Sequence, residues 1–136
     1  MGWERAKNCF PVPNELLQLN LPAGAVAVYI YLLRHADRRT NQCYPSEATM
    51  ARDLHLARNT VAKYVRLLEE RGLIVTERTQ VQMKNGIRKN GNLRYTIVPM
   101  HDVLEQRYQR QMAELERQQV QQKLAEQAEE SPYSPL

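Results

Sequence analysis

Residues 45–75, PSEATMARDLHLARNTVAKYVRLLEERGLIV, constrain the fold of this 136-residue chain more than any other stretch. Ser46 suits the N-cap of a short helix, because its hydroxyl can satisfy free backbone N–H groups of the first turn. Met50, Ala51 and Leu54 give that helix an inner face. His55 to Ala57 then make a tight turn, with His55 expected in the left-handed backbone region, which His tolerates better than bulkier residues. A longer helix runs from about Arg58 to Arg71 and stops at Gly72. The β-prone run Leu73-Ile74-Val75-Thr76 follows immediately.

The flanking sequence extends this pattern. Pro11, Pro13 and Pro22 punctuate an extended lead-in, with a helical turn or two expected around Asn14 to Leu19. Pro22 suits the start of a further helix, since its locked φ matches the first turn. That helix runs to about His35, with Val26, Ile30 and Leu33 at helical spacing on one face. Asp37 to Gln42 reads as a polar loop, and Gln42 to Tyr44 as a short strand. Leu93 to Val98 is a second β-prone run after the glycine stop, and Asn85-Gly86 is a strong two-residue hairpin turn. Folding there pairs residues whose numbers sum to 171, setting Ile74 opposite Ile97, Thr76 opposite Tyr95 and Glu77 opposite Arg94. A rival turn at Asn90-Gly91 would leave Leu73 to Val75 without partners. The segment from Lys84 to Asn92 is expected to be a mobile tip.

From about His101 the chain is rich in Gln, Glu and Arg and reads as one long helix. Its apolar residues Leu104, Tyr108, Met112 and Leu115 keep helical spacing, and Val120 and Leu124 fall out of phase with them, a thin stripe for a coiled coil. The expected architecture is mainly α with a small β-hairpin (α+β): a three-helix core with a hairpin wing over residues 1–99, a polar C-terminal helix over 100–131 that is a candidate dimerisation element, and a flexible tail at 132–136.

Composition excludes several function classes. The longest apolar run, AVAVYIYLL at 25–33, is half the length needed to span a bilayer, and MGWERAKN lacks the apolar stretch of an export signal. Cys9 and Cys43 are too few for a disulfide framework and fit a reducing cytoplasm. His35, His55 and His101 are scattered, no nucleophile motif or phosphate-binding glycine loop occurs, and neither a metal nor a cofactor is implied. Enzyme activity is not expected. Residues 1–100 carry 15 Lys and Arg against 8 Asp and Glu, and residues 101–136 carry 4 against 7. A basic body suits a polyanionic partner, because phosphate contacts supply most sequence-independent affinity for DNA. An ordinary solvated surface would account for the same charge.

A short helix, turn, longer helix and β-hairpin form the layout of a winged helix-turn-helix, which places its second helix in the major groove of duplex DNA. At about 100° per residue, Val61, Val65 and Leu68 share one face of that helix, and Asn59, Lys63, Arg66 and Glu70 the other. Asn can bond adenine bidentately, and Lys can reach guanine or phosphate. Arg58, Asn59, Thr60, Lys63 and Arg66 are therefore candidates for the groove, with Ser46 and Thr49 anchoring on phosphates. Tyr64 lies at the edge of the buried face, with its ring in the core and its hydroxyl within reach of a phosphate. Lys84, Arg88, Lys89 and Arg94 are candidates for backbone or minor-groove contact from the wing. Glu70 lies late in the helix, clear of the groove. A solvated polar face is the competing reading for each of these residues.

Pro45-Ser46-Glu47, Ala51, Leu54, the run RNTV from Arg58 to Val61 and LLEERGLI from Leu67 to Ile74 resemble bacterial winged-helix domains. GntR-type regulators share the pattern. The helix-turn-helix domains of plasmid and phage replication initiators share it more closely, because VPNELLQLNLPAGAVAVYIYLL also resembles their opening; the likeness covers about residues 10–98. It implies DNA binding, as a transcriptional regulator or as the DNA-binding part of an initiator, with a winged-helix protein-interaction module as the remaining alternative. The C-terminal helix is expected to pair two copies into a homodimer, so that two half-sites about one helical turn apart are bound. The chain departs from the pattern where Gly and Ser usually stand in the turn, here His55 and Ala57, and where GntR domains place Arg, here Ala48 and Ala62. The 36 residues after position 100 are too few and too polar for a GntR effector domain.

Overall fold

A computed structural model describes residues 8–129. The export-signal reading of the first residues, the last two residues of the polar helix and the tail at 132–136 lie partly or wholly outside that range. The chain divides into two compact units, residues 1–100 and 101–136.

Within the first unit, Pro11 and Pro13 hold the lead-in extended until a 3₁₀ turn at Asn14–Gln18, which buries Leu16; Leu19, just beyond it, is buried too. Helix α1 (Ala23–His35) starts directly after Pro22. Its buried side is Ala25, Val28, Tyr29 and Leu32, whereas Val26, Ile30 and Leu33 are only half-buried. The inward stripe is thus rotated from the expected one. AVAVYIYLL is apolar almost all round, so periodicity alone does not choose a face and tertiary contacts do.

Strand β1 (Gln42–Cys43) leads through Pro45 into α2 (Glu47–Leu54). Ser46 caps α2, its Oγ accepting the Thr49 N–H at 3.1 Å. His55 takes the left-handed conformation (φ 56°, ψ 42°), and the Leu56 N–H reaches back to the Ala51 carbonyl at 3.0 Å. Helix α3 (Arg58–Glu70) begins at Ala57, which supplies no side-chain cap. It ends as α2 does. Gly72 (φ 77°) turns the chain, its N–H bonding Glu69 O at 2.9 Å while the Leu73 N–H bonds Leu68 O at 3.0 Å. This pair of bonds is the Schellman arrangement, and the fully buried Leu68 and Leu73 complete it.

Met50 and Ala51 of α2, Val61, Val65 and Leu68 of α3 and the inner face of α1 form the core. Each such large aliphatic side chain contributes about 1.5–3 kcal/mol by leaving water. Gly24 lets α1 and α3 approach. A Cβ there would stand 2.2 Å from Cε2 of Tyr64, whose ring lies across the α1 backbone.

Strands β2 (Ile74–Glu77) and β5 (Arg94–Ile97) pair antiparallel in the expected register, Ile74 with Ile97, Thr76 with Tyr95 and Glu77 with Arg94. β1 joins on the other side of β5, giving the order β1-β5-β2. Tyr95 and Ile97 point into the core, closing it beneath the helices.

The distal hairpin departs from expectation. β3 (Gln80–Gln82) and β4 (Arg88–Asn90) pair as Gln80 with Asn90, Val81 with Lys89 and Gln82 with Arg88, so their numbers sum to 170. The Gly91 N–H bonds Thr79 O at 2.8 Å, leaving Asn92 and Leu93 to stand against Arg78 alone. That extra residue is a bulge, fastened by the Thr79 hydroxyl donating to the Asn92 carbonyl. At the tip, Asn85-Gly86 does not form a two-residue turn. The Gly86 N–H bonds Met83 O at 3.0 Å, the Met83 N–H bonds Ile87 O at 2.9 Å, and of the pair only Gly86 (φ 83°) is left-handed. The loop is therefore three residues, Lys84 to Gly86, a geometry that accommodates the one-residue offset. The expected mobile tip from Lys84 to Asn92 shrinks accordingly, because β4 occupies Arg88 to Asn90.

Three helices followed by a hairpin on a small sheet make this unit a winged helix-turn-helix, within an α+β chain. Beyond it, α4 (Met100–Glu129) is one unbroken helix of 30 residues. Tyr108, Met112, Leu115, Val120 and Leu124 are all exposed on it. Among the described residues no helix is long and apolar enough to cross a membrane.

Candidate nucleic-acid interface

The exposed side of α3 follows from its buried side. With Val61, Val65 and Leu68 inward, Asn59, Lys63, Arg66 and Glu70 must face out, and Arg58 lies at the edge; all five are exposed. Among the described residues, none of the four polar or basic side chains Arg58, Asn59, Lys63 and Arg66 makes an ion pair or side-chain hydrogen bond. The Lys63 ammonium lies 5.7 Å from the centroid of the Tyr64 ring. Arg58, Asn59 and Lys63 thus stand exposed on the first two turns of α3, Lys63 with its ammonium over the Tyr64 ring. Thr60 and Tyr64 are half-buried on the flank, and Tyr64 is tied down over Gly24.

The two hydroxyls expected to anchor on phosphates are largely occupied with each other. Ser46 Oγ accepts from the Thr49 backbone and donates to Thr49 Oγ1 at 2.8 Å, and both residues are half-buried. Their first task is to hold the start of α2.

On the wing, Lys84, Arg88 and Lys89 are exposed and make no ion pair among the described residues. Arg94 differs: its guanidinium pairs with Glu77 across the β2–β5 ladder, and Glu77 and then Tyr44 hold it still more firmly charged. Its charge is therefore partly balanced inside the protein. Arg78, also exposed, adds a further cation at the wing base. Its signal was present in the sequence: from Arg78 to His101 there are five Arg and Lys and no Asp or Glu. Thr76 Oγ1 donates to Glu69 near the end of α3, so the wing base is fastened to the helix it follows.

A second polar cluster escaped the sequence reading because its members are distant along the chain. The Tyr31 hydroxyl donates to Asp53 Oδ2 at 2.8 Å, joining α1 to α2, and His35 stacks on the Tyr31 ring with centroids 4.3 Å apart. Tyr31 is pushed up to about 12, by burial first and by Asp53 next. Asp53 is correspondingly lowered, chiefly by the hydrogen bond from Tyr31. His101, Asp102 and Glu105 come close together on α4, all three exposed.

Residues 19–74 match the model of a helix-turn-helix domain family. That span runs from the lead-in to the first residue of β2, and it includes both helices of the motif. No curated protein matches the chain. Among solved structures, the chain is similar to a "possible transcriptional regulator from Methanosarcina mazei Go1", at 19% identity and a TM-score of 0.49, over 79% of this chain and 85% of that one. It is also similar to the transcriptional regulator SlyA, at 21% identity and a TM-score of 0.39, over 85% and 80%.

Proposed function

We propose that the protein binds duplex DNA sequence-specifically, with α3 in the major groove, and that it acts as a transcriptional regulator. The observation that carries this reading is the exposure of Arg58, Asn59 and Lys63 on the early turns of α3, the second helix of the motif. In this arrangement base edges are met by just those turns. Asn59 would pair with adenine, Lys63 and Arg66 would reach guanine or phosphate, and the wing cations would bind backbone. The Arg58 guanidinium, at the helix edge, would reach phosphate.

Selection from a random oligonucleotide pool should recover a consensus, and gel shifts on that consensus should weaken steeply as salt rises. Asn59→Ala should cost roughly 1–3 kcal/mol and relax the preference at one position. Retention by salt-independent contacts, indifferent to Asn59 and Lys63, would instead favour a protein-interaction module.

We further propose that two copies pair through α4, so that two half-sites about one helical turn apart are bound. Leu104, Tyr108, Met112 and Leu115 share one face of its first half, at about 100° per residue. Sedimentation should show dimers; monomers alone at high concentration, with and without DNA, would exclude the pairing.

A further inference from the structure

The distal ribbon of the wing is two-faced. Cross-strand partners in a ladder lie on the same side, and successive residues alternate. The observed register therefore puts Val81, Met83, Ile87 and Lys89 on one side, and Gln80, Gln82, Arg88 and Asn90 on the other. Gly91 lies on the first side as well, where a Cβ would stand 3.1 Å from Cγ2 of Val81. Val81, Met83 and Ile87 are 54%, 45% and 63% exposed, so three large apolar side chains form an open patch. The one-residue bulge creates this patch. Continuing the register of the wing base would pair Val81 with Asn90 and Met83 with Arg88, scattering the apolar side chains among polar ones.

A two-stranded ribbon is marginal in water by itself, and an uncovered apolar strand face invites aggregation. We infer that this face is a DNA contact: the wing tip enters the minor groove and presses Met83 and Ile87 against a base step, partly unstacking it and bending the duplex. The inference rests on the DNA-binding reading above and adds a deformation to it. The charge around the patch selects this occupant. Lys84 and Lys89 flank the apolar residues, Arg88 adds a cation on the other side of the ribbon, and no acidic residue occurs from Arg78 to His101. A surface with apolar side chains inside a rim of cations complements base steps lying between two rows of phosphates. Proteins that kink DNA from the minor groove use wedges of this kind, including Met and Ile. The three-residue tip with Gly86 keeps the leading edge narrow, and the groove it must enter is only about 6 Å wide.

The test uses the full chain and the duplex recovered by selection, with bend angle read by fluorescence transfer between labelled DNA ends. Wild-type protein should bend the site by at least about 20°. Met83→Ser/Ile87→Ser should abolish the bend and weaken binding by at least about tenfold, since two large apolar side chains lose their burial. The salt slope should stay unchanged. Met83→Leu/Ile87→Leu should restore the bend. Lys84→Ala/Lys89→Ala should instead lower the salt slope, by about one for each phosphate no longer neutralised. These side chains are exposed, so an unchanged thermal melt would show that the variants remain folded. A wild-type complex with straight DNA, or serine variants that bend and bind as wild type does, would overturn the wedge and leave the α3 reading intact. Serine variants that turn a dimer into a monomer would reassign the patch to self-association. Wild-type protein that binds no duplex at all would overturn the α3 reading and the wedge together.

Discussion

At the scale of single residues, the candidate interface depends on side chains whose orientation is settled elsewhere. Asn59 and Lys63 face outward because Val61, Val65 and Leu68 must be buried. Gly24 is the least visible of these determinants. It has no unusual backbone conformation; it matters because the Tyr64 ring occupies the space where a Cβ would be. Gly24→Ala should therefore force Tyr64 aside and cost about 1–3 kcal/mol of stability in denaturant unfolding, as overfilled cores do. Because Tyr64 adjoins Lys63 on α3, the same variant should also weaken DNA binding. Equal stability for Gly24→Ala and wild type would show that the ring yields freely.

Among the elements, the two helices of the motif are held unequally. Both end with a left-handed residue and the same pair of backbone bonds, at His55 and at Gly72. Their beginnings differ. α2 has the Ser46 cap, whereas Ala57 at the start of α3 has no side-chain acceptor for the N–H groups of the first turn. Restoring the hydroxyl by Ala57→Ser should stabilise the protein by about 1 kcal/mol, seen as a higher melting temperature, and Ser46→Ala should cost about as much.

For the whole molecule, burial of proton-bearing groups sets the response to pH. Cys43, which donates to the Leu32 carbonyl, is pushed by burial from 9.0 to about 11. Tyr31 and Tyr95 rise from 10.0 to about 12, and Tyr29 is raised by burial as well. Every one of these folded values lies above its unfolded value, so the native state keeps protons that the unfolded chain gives up. Their contribution is complete below about pH 9 and is lost as pH rises through the folded values. Urea unfolding from pH 8 to 12 should thus show stability falling first where Cys43 titrates, then more steeply where the tyrosines do. Cys43→Ala should remove the earliest part of that decline. A flat profile to pH 11 would contradict the burial of these groups.

Much of this protein was legible in its sequence because the relevant interactions are local. Ser46 caps the residues next to it, His55 and Gly72 turn the chain where they stand, and the 3.6-residue period of α3 separates its inner from its outer face. The register of β2 with β5 matches the expected one, although the two-residue Asn85-Gly86 turn that implied it does not form: the bulge offsets the three-residue loop. Other features required the fold. The apolar sequence of α1 offers several equivalent faces, and contact with α3 through Gly24 selected one. Tyr31 and Asp53 are 22 positions apart, so no window along the chain pairs them. The tip of the wing is decided by a bulge and a three-residue loop, which shift the register by one and gather Val81, Met83 and Ile87 on a single side. Local chemistry determines where helices start, stop and turn; only chain segments meeting in space determine which faces are covered and which are left open for a partner.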